Sequence, residues 1–135
     1  MRWQPWTPAE VAERLDGVDV PWYVAGGWAI DLFLGEQRRA HDDLEIGVPA
    51  DQFALIRDAL PGQWHVPTPA GELPLGDEQL THGHQTWLLD PTADAWRLDV
   101  FREPAREGRW VCRRDAAITR TYDELIAHTA DGVPY

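Results

Sequence analysis

The segment from Val24 to Val48 constrains the fold of this chain more than any other part. A short apolar run ends at Gly26-Gly27, residues 28–34 have a helical pattern that Gly35 stops, and residues 44–48 alternate between apolar and polar side chains. Alternation over so few residues is typical of a half-buried strand, and a glycine after the last helical residue is a common helix end. The segment therefore predicts a strand, a glycine turn, a helix and a second strand in close succession.

The rest of the chain adds helices and a hairpin to this unit. The sequence predicts a first helix from the capping box Thr7–Glu10 to about Leu15, a helix over 51–60, strands over 86–89 and 96–101 joined by residues 90–94, a further strand over 109–113, and a helix from the capping box Thr121–Glu124 to about His128. Residues 67–84 are rich in Pro and Gly and predict a long irregular loop, of the kind that covers functional sites. The order predicts an α/β or α+β fold with helices packed against a small sheet.

Composition excludes several kinds of chemistry. The chain has 135 residues, 44% of them hydrophobic, which suits one domain with a buried core. All twelve basic residues are arginine, and there is no lysine, serine or asparagine. A Walker-type phosphate loop, a Schiff-base lysine and a serine nucleophile are therefore excluded. The net charge of -11 argues against nucleic-acid binding and would suit a cationic small molecule.

The chain also lacks signals for export or membrane insertion. Its single cysteine, Cys112, cannot form an intramolecular disulfide and is typical of a reducing compartment. No apolar stretch approaches the ~20 residues that span a bilayer, and the first residues do not have the pattern of a signal peptide. We expect a cytoplasmic protein without a membrane partner.

Three carboxylates are the candidate centre of the chemistry. Asp43 and Glu45 lie two apart on the predicted strand, so both project from one face, roughly 6.5–7 Å apart at the Cα level. Asp99 interrupts an otherwise apolar strand and completes an acidic triad if the two strands pair. Carboxylates held side by side repel each other unless a cation lies between them, and Mg²⁺ prefers oxygen ligands. A zinc site built from His82, His84, His65 and Cys112 is disfavoured because the spacing matches no standard ligand set.

Gly26 and Gly27 add a candidate phosphate site. Bare backbone amides at the start of a helix can hold phosphate groups. Asp31 in the same helix is a candidate structural residue, with Arg38 or Arg39 as its partner, and Asp42 is expected at the surface because it points away from Asp43.

These residues, in this order, resemble the nucleotidyltransferase superfamily of the DNA polymerase β type. The run Gly26–Gly35 and the run Arg39–Glu45 are similar to the aminoglycoside 2''-adenylyltransferase branch, with the lincosamide nucleotidyltransferases as near relatives. The similarity extends more loosely through Arg97–Asp99 and Thr129–Tyr135. It implies the nucleotidyltransferase fold, a small mixed β-sheet with helices packed against it.

The resemblance also implies roles for individual residues. Asp43 and Glu45 would bind Mg²⁺ or Mn²⁺ that escorts the nucleoside triphosphate, and Asp99 would be a metal ligand or the base toward the acceptor hydroxyl. The Gly26 and Gly27 amides would hold the terminal phosphates, with Arg39 or His41 near them. Glu45 departs from the more common Asp at its position and shifts the second metal.

The implied activity is transfer of AMP from ATP to a hydroxyl of a small molecule, with an aminoglycoside-like antibiotic favoured and antibiotic resistance as the setting. We expect residues 1–135 to form a single catalytic core domain that lacks most of the C-terminal helical region of the relatives. The alternative is a non-catalytic or partner-dependent nucleotide-binding domain of the same fold. The sequence does not predict an oligomeric state or name the acceptor.

Overall fold

The computed structural model of the chain describes residues 2–81 and 83–135. The helices are α1 (Pro8–Arg14), α2 (Gly26–Leu34), α3 (Phe53–Ala59), α4 (Asp77–Thr81) and α5 (Tyr122–Leu125). The strands are β1 (Arg2–Trp3), β2 (Tyr23–Ala25), β3 (Glu45–Pro49), β4 (Gln63–Thr68), β5 (Gly71–Pro74), β6 (Gln85–Asp90), β7 (Ala95–Glu103), β8 (Ala105–Arg106), β9 (Arg109–Val111) and β10 (Thr119–Arg120). A 3₁₀ turn over Ala50–Gln52 precedes α3.

Within the described residues, seven strands form one mixed sheet. Its order is β2-β3-β7-β6-β4-β5, with β1 also paired to β7. The pairs β3–β7 and β1–β7 are parallel, whereas β2–β3, β6–β7, β4–β6 and β4–β5 are antiparallel. Strands β8, β9 and β10 form a second, smaller sheet. The predicted fold class, a mixed sheet with helices packed against it, is confirmed.

One face of the large sheet forms the core with the helices. The central residues of β3 and β7 that point to this face, Ile46, Val48, Leu98 and Val100, are fully buried. They pack in one cluster with side chains from α1 and α3, among them Val11, Leu15, Phe53 and Ile56. Because neighbouring strand residues point to opposite faces, Glu45 and Asp99 project to the other side. The core thus fixes the direction of both carboxylates.

Several local predictions are confirmed in detail. Thr7 and Glu10 form the capping box of α1, and Thr121 and Glu124 form that of α5. Gly35 ends α2 in the left-handed conformation, with φ of 81°. The predicted hairpin is present as β6 and β7.

The predicted irregular loop over residues 67–84 is wrong. Strand β4 continues to Thr68 and turns into β5, with His65 opposite Pro74 and Thr68 opposite Gly71, and α4 follows. The prolines do not prevent this hairpin. Pro74 lies on the edge strand β5, and Pro67 lies beyond residues 63–65, the part of β4 that pairs with β6, so neither proline has a partner strand on both sides. The segment therefore extends the sheet on the side remote from β3. His82 lies outside the described residues, so the structure does not test the zinc hypothesis that included it.

Two helix boundaries also differ from prediction. Helix α2 begins at Gly26, so the glycine pair forms its first turn instead of a turn before it. Helix α5 ends at Leu125, and not near His128, because Ile126 is extended and Ala127 exchanges two main-chain hydrogen bonds with Tyr135, both of 2.9 Å. This C-terminal segment closes onto β2, where the Val24 amide donates to the Pro134 carbonyl at 2.9 Å.

No helix in the described part of the chain is both long enough and apolar enough to cross a membrane.

Candidate active site

The structure brings the three predicted carboxylates together. Glu45 on β3 and Asp99 on β7 are direct partners across the parallel strand pair, and Asp43 lies just before β3. One carboxylate oxygen from each of the three lies within 4.8 Å of the others. Among the described residues this is the one group of three or more His, Cys, Asp or Glu side chains close enough to share a metal ion.

The three carboxylates differ in their contact with solvent. Asp99 is 2% exposed, Glu45 is half-buried, and Asp43 keeps solvent contact. Burial, followed by repulsion from Asp43, raises the pKa of Glu45. Burial raises the pKa of Asp99 to about 7, with repulsion from Glu45 adding to it, against the opposing hydrogen bond from Gln85. The three carboxylates therefore repel one another in a partly buried site, and a bound cation would reduce this repulsion.

Asp99 has one satisfied oxygen and one without a partner. The Gln85 amide donates from Nε2 to Asp99 Oδ2 at 2.9 Å. The other oxygen, Oδ1, is buried and makes no hydrogen bond of standard geometry among the described residues, although the Trp87 side chain, whose Nε1 is likewise buried without a partner, acts to lower the pKa of Asp99. A buried polar atom of this kind is costly unless a ligand completes it. The atoms that could coordinate a metal ion here are all carboxylate oxygens, the ligand type that hard divalent cations bind.

Gly26 fits closely against Glu45. Its φ is 63°, in the left-handed region, and a Cβ built on it would overlap the Glu45 carboxylate. No side chain caps the N-terminus of α2, so the first amides of the helix keep their hydrogen-bonding capacity. Glycine at this position therefore lets the start of the helix approach the carboxylates.

Gly27 fits equally closely against Arg39 and His41. A Cβ at Gly27 would overlap the Arg39 guanidinium and would lie 3.1 Å from His41 Nδ1. Arg39 and His41, which the resemblance places near the phosphates of the nucleotide, therefore both lie beside Gly27. Arg39 is exposed, whereas the His41 side chain is 3% exposed.

His41 is held by Asp31 and Trp28. Its Nε2 lies 2.6 Å from Asp31 Oδ2, and its ring stacks on the Trp28 indole at a centroid distance of 4.5 Å. The same Asp31 oxygen accepts the Arg38 main-chain N–H at 3.1 Å, and the bond to His41 lowers the pKa of Asp31. The expected pairing of Asp31 with Arg38 or Arg39 is thus present through the main-chain N–H of Arg38, whereas its side-chain partner is His41. A buried carboxylate selects the nearby imidazole, and the exposed Arg38 pairs with Glu36 at 3.9 Å.

Two contributions to the site were missed by sequence reasoning. Gln85, which orients Asp99, precedes the predicted strand and shows no pattern of its own. Gln85 lies two residues before Trp87, the β6 residue that pairs with Asp99, and this relation is known only once the register of β6 and β7 is known. The Asp31–His41 contact joins a helix to a loop, a spacing with no periodic signature. Asp31 and Trp28 also line a cavity of about 410 Å³ that the three carboxylates do not reach.

The mixed sheet and its helices are consistent with a nucleotidyltransferase-like fold, and three carboxylates converge beside the helix that begins at Gly26. Residues 9–67 match the family model of aminoglycoside-2''-adenylyltransferase, which confirms the resemblance seen in the sequence. The matched range includes the glycine pair, Arg39, His41, Asp43 and Glu45, and ends before Asp99. No curated protein and no solved structure gives a significant match.

We expect Gly26→Ala to destabilise the protein more than a left-handed φ alone explains. Strain in the left-handed region costs about 1–2 kcal/mol, and here the new methyl group must also displace the Glu45 carboxylate. Gly35→Ala is the matched control, because Gly35 has φ of 81° and open space around the position of a Cβ. Urea unfolding measures both variants. Equal losses would show that the contact with Glu45 does not matter for stability.

The raised pKa of Asp99 predicts how stability changes with pH in the absence of metal. Between its ordinary value of 3.8 and about 7, the folded state binds more protons at Asp99 than the unfolded state does. The free energy of unfolding should therefore fall as pH rises through this window. Asp99→Asn removes the effect, so at pH 8 without divalent ions the variant should be more stable than the parent, by a few kcal/mol at most. Urea titrations at several pH values test this, and parallel curves for the two proteins would contradict it.

Proposed function

We propose that this protein is a metal-dependent nucleotidyltransferase that transfers AMP from ATP to a hydroxyl of a small molecule, with an aminoglycoside-like compound as the favoured acceptor. The observation that carries the proposal is the convergence of Asp43, Glu45 and Asp99 within 4.8 Å, beside the first turn of α2. The matched family is named for an adenylyltransferase that acts on aminoglycosides, which supports the same reaction class.

The carboxylates fit Mg²⁺ or Mn²⁺. Asp43, Glu45 and Asp99 would hold the ion, and the buried Oδ1 of Asp99 would gain the partner it lacks. A bound divalent ion supplies neutralisation of phosphate charge and orients the triphosphate. Burial and, after it, repulsion between the carboxylates raise the pKa of Glu45 and of Asp99, and the charge of the ion would relieve the repulsion.

The start of α2 is suited to the phosphates of ATP. The main-chain amides of Gly26 and Gly27 lie beside the carboxylates without a capping side chain, and a helix N-terminus favours negative charge. Arg39 adds a positive charge next to Gly27, and Asp31 and Trp28 hold the His41 ring so that Nδ1 faces the same glycine. The carboxylates with their ion would thus bind the triphosphate from one side, and the start of α2 with Arg39 and His41 would bind it from the other.

The reaction forms one P–O bond and breaks another. The acceptor hydroxyl oxygen attacks the α-phosphorus of ATP, the bond to the β-phosphate oxygen breaks, and pyrophosphate leaves with that electron pair. Asp99 is either a ligand of the ion or the base; as the base it keeps Oδ1 free of the ion and accepts the hydroxyl proton there, within hydrogen-bond reach of about 2.6–3.2 Å. Burial makes Asp99 a stronger base than an exposed aspartate. The net charge of -11 would attract a cationic acceptor to the surface.

Two measurements test the proposal. Isothermal titration of ATP in the presence of Mg²⁺ should show binding that is lost on adding a chelator. Pyrophosphate release should then appear with a kanamycin-type or a lincosamide-type acceptor. Binding without release for any acceptor would favour a non-catalytic or partner-dependent nucleotide-binding domain. A folded protein that does not bind Mg-ATP would contradict both interpretations.

A further inference from the structure

Arg102 is a buried cation that faces away from the carboxylate site. It lies three residues after Asp99 on β7 and therefore points to the opposite face of the sheet. It is 4% exposed. Its Nη1 and Nη2 donate to the main-chain carbonyls of Leu80 and Gln79, at 3.0 and 3.2 Å. These two bonds explain how Arg102 holds α4 against the sheet.

The two carbonyl contacts leave most of the guanidinium unused. A guanidinium has five N–H donors, and Nε of Arg102 is buried without a partner among the described residues. Carbonyl oxygens accept hydrogen bonds but carry no net charge, and burying an uncompensated cation is expensive. Burial lowers the pKa of Arg102 accordingly. Among the described residues no carboxylate forms an ion pair with Arg102, whose guanidinium carbon lies 5.9 Å from the centroid of the Phe53 ring.

Arg102 lines a cavity of about 410 Å³ with a second arginine and a histidine, Arg113 and His84. The other lining residues are Ala50, Leu80, Thr81, Gly83 and Pro104, so the described lining contains no carboxylate. The carboxylate of Glu103, which lies outside the lining, is 3.3 Å from Arg113. Burial lowers the pKa of His84, and the positive charges of Arg113 and Arg102 lower it further. A chain of net charge -11 thus contains a locally positive cavity.

We propose that this cavity binds a phosphate-type oxyanion between the guanidinium groups of Arg102 and Arg113. Its several oxygens can accept from both arginines and from a ring N–H of neutral His84 at once, which a two-oxygen carboxylate does less well. Arg113 is exposed and can change its partner from Glu103 to an entering anion. The site is separate from the carboxylates and does not depend on the nucleotidyltransferase proposal.

Titration of inorganic phosphate into the metal-free protein, at constant ionic strength, tests the site by calorimetry. Arg113→Gln should weaken binding by about tenfold or more, since a charge-assisted hydrogen bond is lost. Glu103→Gln should tighten it, because the carboxylate that competes for Arg113 is removed. Arg114→Gln is the matched control, an exposed arginine next in the chain that does not line the cavity. A phosphomonoester titrated in parallel shows whether free phosphate or the terminal group of a larger molecule fits better.

A second control separates this cavity from the glycine pair. Phosphate held at Gly26 and Gly27 would respond to Arg39→Gln and not to Arg113→Gln. That pattern would overturn the proposal, as would weaker binding in Glu103→Gln or no binding heat with the folded parent. Arg113 lines the cavity and is exposed, and Glu103, its partner outside the lining, keeps partial solvent contact, so both variants should retain the parent's thermal unfolding curve to within a few degrees.

Discussion

Asp43→Asn should abolish the nucleotide-dependent binding of Mg²⁺ or Mn²⁺ while leaving the fold intact. Asp43 contributes one of the three converging oxygens, and a neutral amide replaces its charge with a weaker donor for a hard cation. The fold should survive because Asp43 precedes β3, keeps solvent contact and repels Glu45. Calorimetric titration of Mn²⁺ in the presence of ATP measures the loss, and thermal unfolding checks the fold.

Asp42→Asn is the control for this prediction. Asp42 is exposed and adjacent, so the same chemical change is made one residue away from the site. We expect parent-like binding of Mn²⁺ and ATP in this variant. If Asp43→Asn also binds like the parent, the metal and nucleotide bind elsewhere and the proposed function loses its main support.

Asp99→Asn should reduce pyrophosphate release by about 10²–10⁴, the range associated with removal of a general base. The asparagine keeps the shape of the side chain but cannot accept the hydroxyl proton. Asp94→Asn is a suitable control, since Asp94 lies in the exposed turn between β6 and β7 with φ of 52°, a conformation that asparagine also adopts. Equal rates for parent and Asp99→Asn would remove Asp99 from the mechanism.

The same variant separates the two roles considered for Asp99. If Asp99→Asn binds Mg-ATP normally and loses turnover, Asp99 acts as the base. If it loses both, Asp99 is needed to hold the ion. The buried and unpartnered Oδ1 is consistent with either role, because both supply the contact that this oxygen lacks.

The parts of the fold that sequence predicted are those with local causes. A capping box fixes the start of α1 through two reciprocal hydrogen bonds three residues apart, and Gly35 stops α2 because glycine adopts the left-handed conformation at little cost. The convergence of Asp43, Glu45 and Asp99 was predictable because an acid in an apolar strand must find a polar environment. The sequence left the pairing of the two strands as a condition, and the structure meets it with Glu45 opposite Asp99.

The parts that sequence did not predict depend on contacts made only in the folded chain. The hairpin of β4 and β5 forms because β6 offers an edge for β4, which outweighs the turn-like composition of residues 67–84. Asp31 takes His41 as its partner because the loop after α2 brings that ring over Trp28. Gln85 reaches Asp99 through the register of β6 and β7.

The parallel register of β3 and β7 limits the sequence changes that the carboxylate site tolerates. Glu45 meets Asp99 only because the two strands are aligned at that residue pair, with buried Leu98 and Val100 on either side of Asp99. Deleting or inserting one residue within β7 would turn Asp99 toward the helices and put an aliphatic side chain beside Glu45. We therefore expect conservative substitutions in these strands to keep the site, and changes of length to be tolerated only in turns such as residues 91–94. An insertion or deletion would preserve this site only if the number of residues between the β6–β7 turn and Asp99 stays the same.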